Sequence, residues 1–318
     1  MLAGLAAASA RPAAAQPAAA QLPDGPVRIV VPAPPGAFND TFARLLAEKL
    51  SPVIGQPCVV DNKPGAGGMI GTREVAQARP DGRTLGIGNT ATLAVNPHVY
   101  AAQNFDPLRE LVPIVQAARI MTVLTAAPSL GVSTVAELVA KAKAEPGRIN
   151  YAIPGVGSSV HLMFELFKQA TGVDMVAVPY RGSAPAITAL LGGEVPLAFE
   201  GVGTMLQYIR AGQVKALAVS AETRHPDLPE VPTMREAGVP LAMSIWFGVI
   251  APAGLPAAMQ ARLSGEMVKL LETPETQAQI VRLGGQPWVG DAATFGALIR
   301  SEQARWGEAV RAANVTPS

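Results

Sequence analysis

Val27-Arg-Ile-Val-Val-Pro-Ala-Pro-Pro-Gly36-Ala-Phe-Asn-Asp40-Thr-Phe-Ala-Arg-Leu-Leu-Ala-Glu-Lys-Leu50 reads as a strand, a stiff loop and a helix in direct succession. The β-branched run Val27 to Val31 suits a pleated, buried surface. Three prolines then fix the backbone, and Gly36 admits conformations closed to other residues and lets a ligand come close. From Thr41, the residues Phe42, Leu45, Leu46 and Leu50 recur at helical spacing, and Asn39 or Asp40 is a plausible N-cap.

The same grammar returns along the chain. Ile149 to Ile153 is a predicted strand, Pro154-Gly-Val-Gly-Ser-Ser159 a glycine-serine loop, and Val160 to Ala170 a helix. Further strands are expected at Val59-Val60, Leu85 to Gly88, Met121 to Ala126, Met175 to Val178, Leu197 to Phe199 and Val214 to Val219. Helices are expected between them, one opened by the capping box Thr134-x-x-Glu137. Long amphipathic helices close the chain, Leu255 to Leu271 and a last one capped by Asp291. Such alternation implies an α/β fold with largely parallel sheet and helices on both faces. The first amides of a helix lack internal partners and carry the positive end of its dipole. A strand-to-helix junction rich in glycine therefore suits an anion without any lysine or arginine. Two such junctions on two lobes would grip one small molecule from both sides.

Composition narrows the function. Charged residues are only 15% of the 318 and the formal net charge is +1, with no basic run, so nucleic acid is not an expected partner. Cys58 is the single cysteine and lies in an apolar run, which fits a buried small side chain and precludes an internal disulfide. Met1 to Ala20 is rich in alanine, free of acidic residues and offers Ala13-Ala14-Ala15 and Ala18-Ala19-Ala20, as the end of a secretory signal does. A basic opening is missing, so the natural start is expected to lie further upstream. No later stretch reaches the ~20 apolar residues of a membrane helix. A soluble periplasmic protein is expected.

Short motifs spaced over nearly the whole chain resemble a known family. They include Val30-Val-Pro-Ala-Pro-Pro-Gly36 with Asp40, Asn62-Lys-Pro-Gly-Ala-Gly-Gly68, Pro80-Asp-Gly82 and Asn96-Pro97, then His161-Leu162, Val178-Pro-Tyr-Arg-Gly182, Leu190-Leu-Gly-Gly193 and Pro229-Glu-Val-Pro-Thr233. The chain is similar to the substrate-binding proteins of tripartite tricarboxylate transporters, the Bug family. The resemblance implies a two-lobed type II periplasmic-binding-protein fold with the ligand cleft between lobes. Residues 21–118 and 222–318 would form one lobe and 119–221 the other, after a signal-like segment at 1–20. It implies capture of a small organic anion, a carboxylate, for membrane transporter subunits met transiently, by a monomer with no cofactor and no metal. The family's contacts, carried over by position, fall on Pro35, Gly36, Ala37, Phe38, Asn39 and Asp40, with Asn89 and Thr90, in the first lobe. In the second they fall on Gly155, Gly157, Ser158, Ser159, His161, Tyr180, Arg181 and Gly182. Three positions depart from the family pattern. Ala37 replaces a second glycine, Ala33 an aromatic residue and Phe38 a small one, so an altered loop is expected, with Phe38 either lining the pocket or turned inward.

Other functions are less well supported. Gly157-Ser158-Ser159-Val160-His161 holds serines and a histidine but no G-x-S-x-G elbow, and His98, His161 and His225 have no metal-ligand spacing, so catalysis is not expected and a hydrolytic enzyme is the remote alternative. Gly65-Ala-Gly-Gly-Met-Ile-Gly71 misses the G-x-G-x-x-G register of a nucleotide loop. A sensory protein that presents its ligand to a membrane receptor would share the fold and the site, and stands as the main alternative.

Overall fold

The computed structural model describes residues 24–100 and 105–313; the signal-like segment 1–20 lies outside the described residues. In chain order the elements are β1 (Val27–Val31), α1 (Phe38–Ile54), β2 (Cys58–Asn62), α2 (Met69–Ala76), β3 (Thr84–Asn89), α3 (Asn96–Val99), α4 (Pro107–Glu110) and β4 (Leu111–Ile120). Next come β5 (Thr122–Ala126), α5 (Val135–Ala144), β6 (Asn150–Ile153), α6 (Ser159–Thr171), β7 (Val176–Pro179), α7 (Ser183–Leu191), β8 (Leu197–Gly201), α8 (Val202–Arg210) and β9 (Lys215–Val219). The chain ends with β10 (Ile245–Pro252), α9 (Ala257–Leu271), α10 (Pro274–Arg282), β11 (Gln286–Gly290) and α11 (Ala292–Ala313).

These strands form two sheets, ordered β11-β4-β10-β3-β1-β2 and β7-β6-β8-β5-β9, one in each lobe. The chain leaves the first sheet at Ile120, enters the second at Thr122, and returns between Val219 and Ile245. The expected largely parallel sheet is mixed instead. β1 runs parallel to β2 and β3, and β6 parallel to β7 and β8. The added strands β10, β4 and β11, and β5 with its neighbours β8 and β9, pair antiparallel. Each crossing between lobes inserts a strand that has no βαβ unit of its own, so it is free to run the other way.

Period-two side-chain alternation buries both faces of the central strands. Val27, Ile29 and Val31 of β1 pack with α1 and α9, while Val30 points to the opposite face. In β8, Leu197 and Phe199 face α6, and Ala198 faces α7 and α8. One buried apolar cluster continues from Val30, Met69 and Leu93 in the first lobe through Trp246, Phe295 and Trp306 to Tyr151 and Phe164 in the second. Helix α11 carries this continuity. Its start is capped as expected, Asp291 Oδ1 accepting from the Thr294 amide at 2.8 Å.

The crossings are tied to each other by buried hydroxyls. Thr122 Oγ1 and Ser220 Oγ lie 2.6 Å apart, and Ser220 Oγ donates to the Met243 carbonyl at 2.8 Å. The lobes also touch at two edges. A Cβ placed on Gly203, at the start of α8, would come within 3.1 Å of Gly284 Cα in the loop before β11. A Cβ on Gly157 would lie 3.4 Å from Val99 of α3.

Candidate ligand-binding cleft

The loop Pro32–Ala37 follows β1 and is held in shape from below. Asn62 Nδ2 donates to the Ala33 carbonyl at 3.1 Å and to Asp40 Oδ1 at 3.0 Å. Gly68 lies so close beneath that a Cβ there would meet the Pro32 carbonyl oxygen at 3.0 Å. Asn96 Nδ2 in turn donates to the Gly67 carbonyl at 2.7 Å. The motifs Asn62 to Gly68 and Asn96-Pro97 are thus the buttress of the first loop.

Helix α1 starts at Phe38, with Ala37 as N-cap, three residues before the expected start; neither Asn39 nor Asp40 is the cap. Asp40 instead reaches back from the first turn. Its Oδ2 accepts from the Gly36 amide at 2.9 Å, in the manner of the acidic partner of a capping box, and Arg44 pairs with it from one turn on. Burial raises the Asp40 pKa, but the hydrogen bonds from Arg44, Gly36 and Asn62 outweigh it and hold the carboxyl below its ordinary value. Ala37 adopts φ −70°, open to any residue, so the missing second glycine costs nothing. Gly36, at φ 87°, is the position that requires glycine.

In the second lobe, Ser158 caps α6, its Oγ accepting from the His161 amide at 3.2 Å. The Gly157 amide donates to His161 Nδ1 at 3.2 Å, which leaves the ring proton on Nε2, facing Glu165. Burial lowers the His161 pKa, against the pull of Glu165, so the ring stays neutral and serves the loop. The neighbouring loop is zipped alongside, with the Tyr180 amide on the Ile153 carbonyl at 2.8 Å and the Gly182 amide on the Pro154 carbonyl at 3.1 Å. Tyr180 packs on the second-lobe core, and burial raises its pKa. Arg181 is exposed at the rim.

The two helix starts share a feature. Asn39 in the first turn of α1 and Ser159 in the first turn of α6 are both buried, at 9% and 8% exposure. Among the described residues neither side chain has a hydrogen-bond partner, and the amides of Phe38, Asn39, Ser159 and Val160 have no acceptor. Neither side chain has its polar atoms shut off from solvent, so their hydrogen-bonding groups open outward beside the free amides, which is the chemistry that suits an anion at a helix start.

Residues 42–315 match the family described as "Tripartite tricarboxylate transporter family receptor". The chain belongs to that family. The protein BugT of Bordetella pertussis is 36% identical over 300 residues, which cover 94% of this chain and 92% of BugT. Among solved structures, Rpa4515 of R. palustris with adipate is 35% identical with a TM-score of 0.82, over 93% of this chain and 99% of that one. MatC (Rpa3494) of Rhodopseudomonas palustris with bound malate is 29% identical with a TM-score of 0.77, over 91% and 99%. These neighbours share the two-lobed fold of periplasmic solute-binding proteins.

Against this family background the remaining positions fall into place. Asn89 ends β3 and Thr90 follows it, both with side chains engaged within the protein. Asn89 Oδ1 accepts from the Thr92 amide at 3.0 Å, and Thr90 Oγ1 accepts from the Trp246 amide at 2.9 Å. The Phe38 ring is turned inward, 4.6 Å from the Phe247 ring and 6.0 Å from Phe42, and under Gly285, where a Cβ would meet it at 2.6 Å. Glu200 escaped the reading of the sequence. It is the penultimate residue of the apolar strand β8, one residue before the turn into α8, a strand-to-helix junction like those of the other loops. The residue is 6% exposed; its carboxyl hydrogen-bonds with Ser183 and the Gly201 amide and has no cation partner among the described residues. Burial raises its pKa to about 7. The described residues contain no group of three or more His, Cys, Asp or Glu that could hold a metal, and no described helix is long and apolar enough to cross a membrane.

Proposed function

We propose that this chain is the solute-capture component of a tripartite tricarboxylate-type uptake system and holds a small organic carboxylate between the starts of α1 and α6. The observation that carries this reading is the pair of largely buried residues Asn39 and Ser159, whose unpartnered polar atoms open to solvent beside the free amides of both helix starts. A dicarboxylate meets that arrangement best, one carboxylate to each helix start, and adipate and malate in the two solved relatives are ligands of this chemistry. Gly36, Ala37, Gly155 and Gly182 would face the ligand through backbone, with Pro35 and Arg181 at the rim. Asp40, His161, Ser158 and Gly157 would hold the loops in binding shape. Phe38, Asn89, Thr90 and Tyr180 would support the walls.

The same reading has the protein acting in the periplasm after removal of an alanine-rich leader, as a monomer that hands its cargo unchanged to membrane subunits. It divides the lobes as 21–118 with 222–318 around 119–221, and the separate membership of β1–β4, β5–β9 and β10–β11 in the two sheets supports that division. The test is a thermal-shift screen of mono-, di- and aromatic carboxylates followed by calorimetry. A ligand at 100 times its Kd is expected to stabilise by about 2.7 kcal/mol. Asn39→Ala and Ser159→Ala should each weaken binding about tenfold, the worth of one hydrogen bond to a charged group. Failure of every carboxylate to bind, or chemical conversion of the bound acid, would overturn the reading.

A further inference from the structure

A second cavity, of about 230 Å³, lies where the two crossings between lobes meet α11. Its walls come from the end of β4, both ends of the segment between β9 and β10, β11 and α11, and none of the cleft residues above takes part. It holds several times the ~30 Å³ share of one water molecule.

Two arginines and two glutamates line this cavity, but they do not pair off evenly. Glu302 is fully occupied, with Oε2 accepting from the indoles of Trp246 and Trp306 at 3.1 and 3.0 Å and Oε1 paired to Arg305 at 2.8 Å. Arg305 spends its other nitrogen on the Ala242 carbonyl at 2.7 Å. Arg119 is left over. No described carboxylate pairs with it; Glu222, which also lines the cavity, is not among its partners. Its Nε is buried with no hydrogen-bond partner, and its guanidinium lies 5.2 Å from the centroid of the Trp288 ring. A guanidinium stacked on an indole with its buried Nε lacking an acceptor is incompletely satisfied, and a carboxylate that reaches it supplies the missing acceptor. Trp246, Trp288 and Leu298 give the adjoining wall its apolar groups, and Ser244 adds a hydroxyl.

We propose that this hinge cavity is a second binding site, taking a small carboxylate with a flat apolar body, its charge on Arg119 and its ring against the tryptophans. The site is independent of the cleft, and its occupant would touch both crossings at once.

The test is fluorine NMR of para-fluorobenzoate with the full chain. The expected result is saturable binding in the millimolar range or tighter, on the order of 4 kcal/mol or more. Binding should weaken at least tenfold in Arg119→Met and be lost in Ser301→Trp, which fills the cavity from an exposed position of α11. It should persist in Asn39→Trp, which obstructs the cleft. Absence of saturable binding to the wild-type chain overturns the proposal. So does binding unchanged in Arg119→Met, or binding lost in Asn39→Trp and kept in Ser301→Trp. Should Arg119→Met fail to fold, Ser301→Trp with Asn39→Trp decides the question.

Discussion

Glu200 carries an ionisation that folding opposes. Burial outweighs the help from Ser183 and the Gly201 amide and lifts its pKa from 4.5 to about 7. Between those values the folded protein binds more protons than the unfolded chain, so stability falls as pH rises through this window and levels off above it. Glu200→Gln removes the titration and keeps the hydrogen bond to Ser183. The variant should be more stable than the wild type at pH 8, on the order of 2–3 kcal/mol, with the difference fading toward pH 4.5. Urea unfolding at several pH values measures it, and parallel profiles for the two proteins would refute the assignment. Phe38 invites a different substitution. Its ring fills the space between Phe247, Phe42 and Gly285, so Phe38→Ala should lower the stability of the unliganded protein by about 3 kcal/mol. Aromatic and aliphatic carboxylates should lose affinity alike. A selective loss of aromatic ligands in calorimetry would place the ring in the pocket instead.

Among the elements, α8 and the loop before β11 meet backbone to backbone at Gly203 and Gly284. Gly203 lies in a helix, where alanine is ordinarily favoured by about 1 kcal/mol. Its Cβ, however, would stand 3.1 Å from Gly284 Cα, a contact eased by a small shift of that loop or by separation of the lobes. Gly203→Ala should leave the unliganded protein as stable as before, weaken the cleft ligand at least tenfold, and keep the radius of gyration at its unliganded value in small-angle scattering at ligand concentrations that saturate the wild type. Gly265→Ala in α9, with open space around it, is the control that changes neither. The elements that shape this seam were unevenly legible. β1 and β6 stand out because apolar runs end sharply in proline and glycine, at Pro32 to Gly36 and Pro154 to Gly157. The caps at Ser158, Thr134 and Asp291 follow from local chemistry alone. The antiparallel strands do not announce themselves. β4 contains Pro113, Gln116 and Arg119 and reads as broken, yet Pro113 sits beside a register shift against β10, where a ladder tolerates proline. β11 opens Gln286-Pro287 and is an edge strand with an irregular register, short of any periodic signal. The residue types of Asn39 and Asp40 both suit a cap, which is all that local sequence shows of them. The real role of Asp40 depends on Asn62, brought beside it by the β1–β2 pairing.

At the scale of the whole molecule, β10 sits at the middle of the first sheet, hydrogen-bonded to β3 on one side and β4 on the other, although the whole second sheet precedes it in the chain. A chain delivered N-terminus first, from the ribosome or through a membrane, therefore cannot finish its first lobe until its last quarter arrives. The second lobe, whose strands β5 to β9 are uninterrupted, can be completed earlier. Refolding should then run in two stages. Pulsed hydrogen exchange should protect β5, β6 and β8 before β1 and β3. Tryptophan fluorescence should report the later stage alone, since Trp246, Trp288 and Trp306 are the chain's three tryptophans and none precedes β10. Simultaneous protection of both sheets would mean that the lobes fold as one unit. On the two-stage route, β3 and β4 present open edges to water until β10 slots between them. In that interval an unfinished first lobe is the part of this protein that a chaperone must cover, and the part that aggregates when none does.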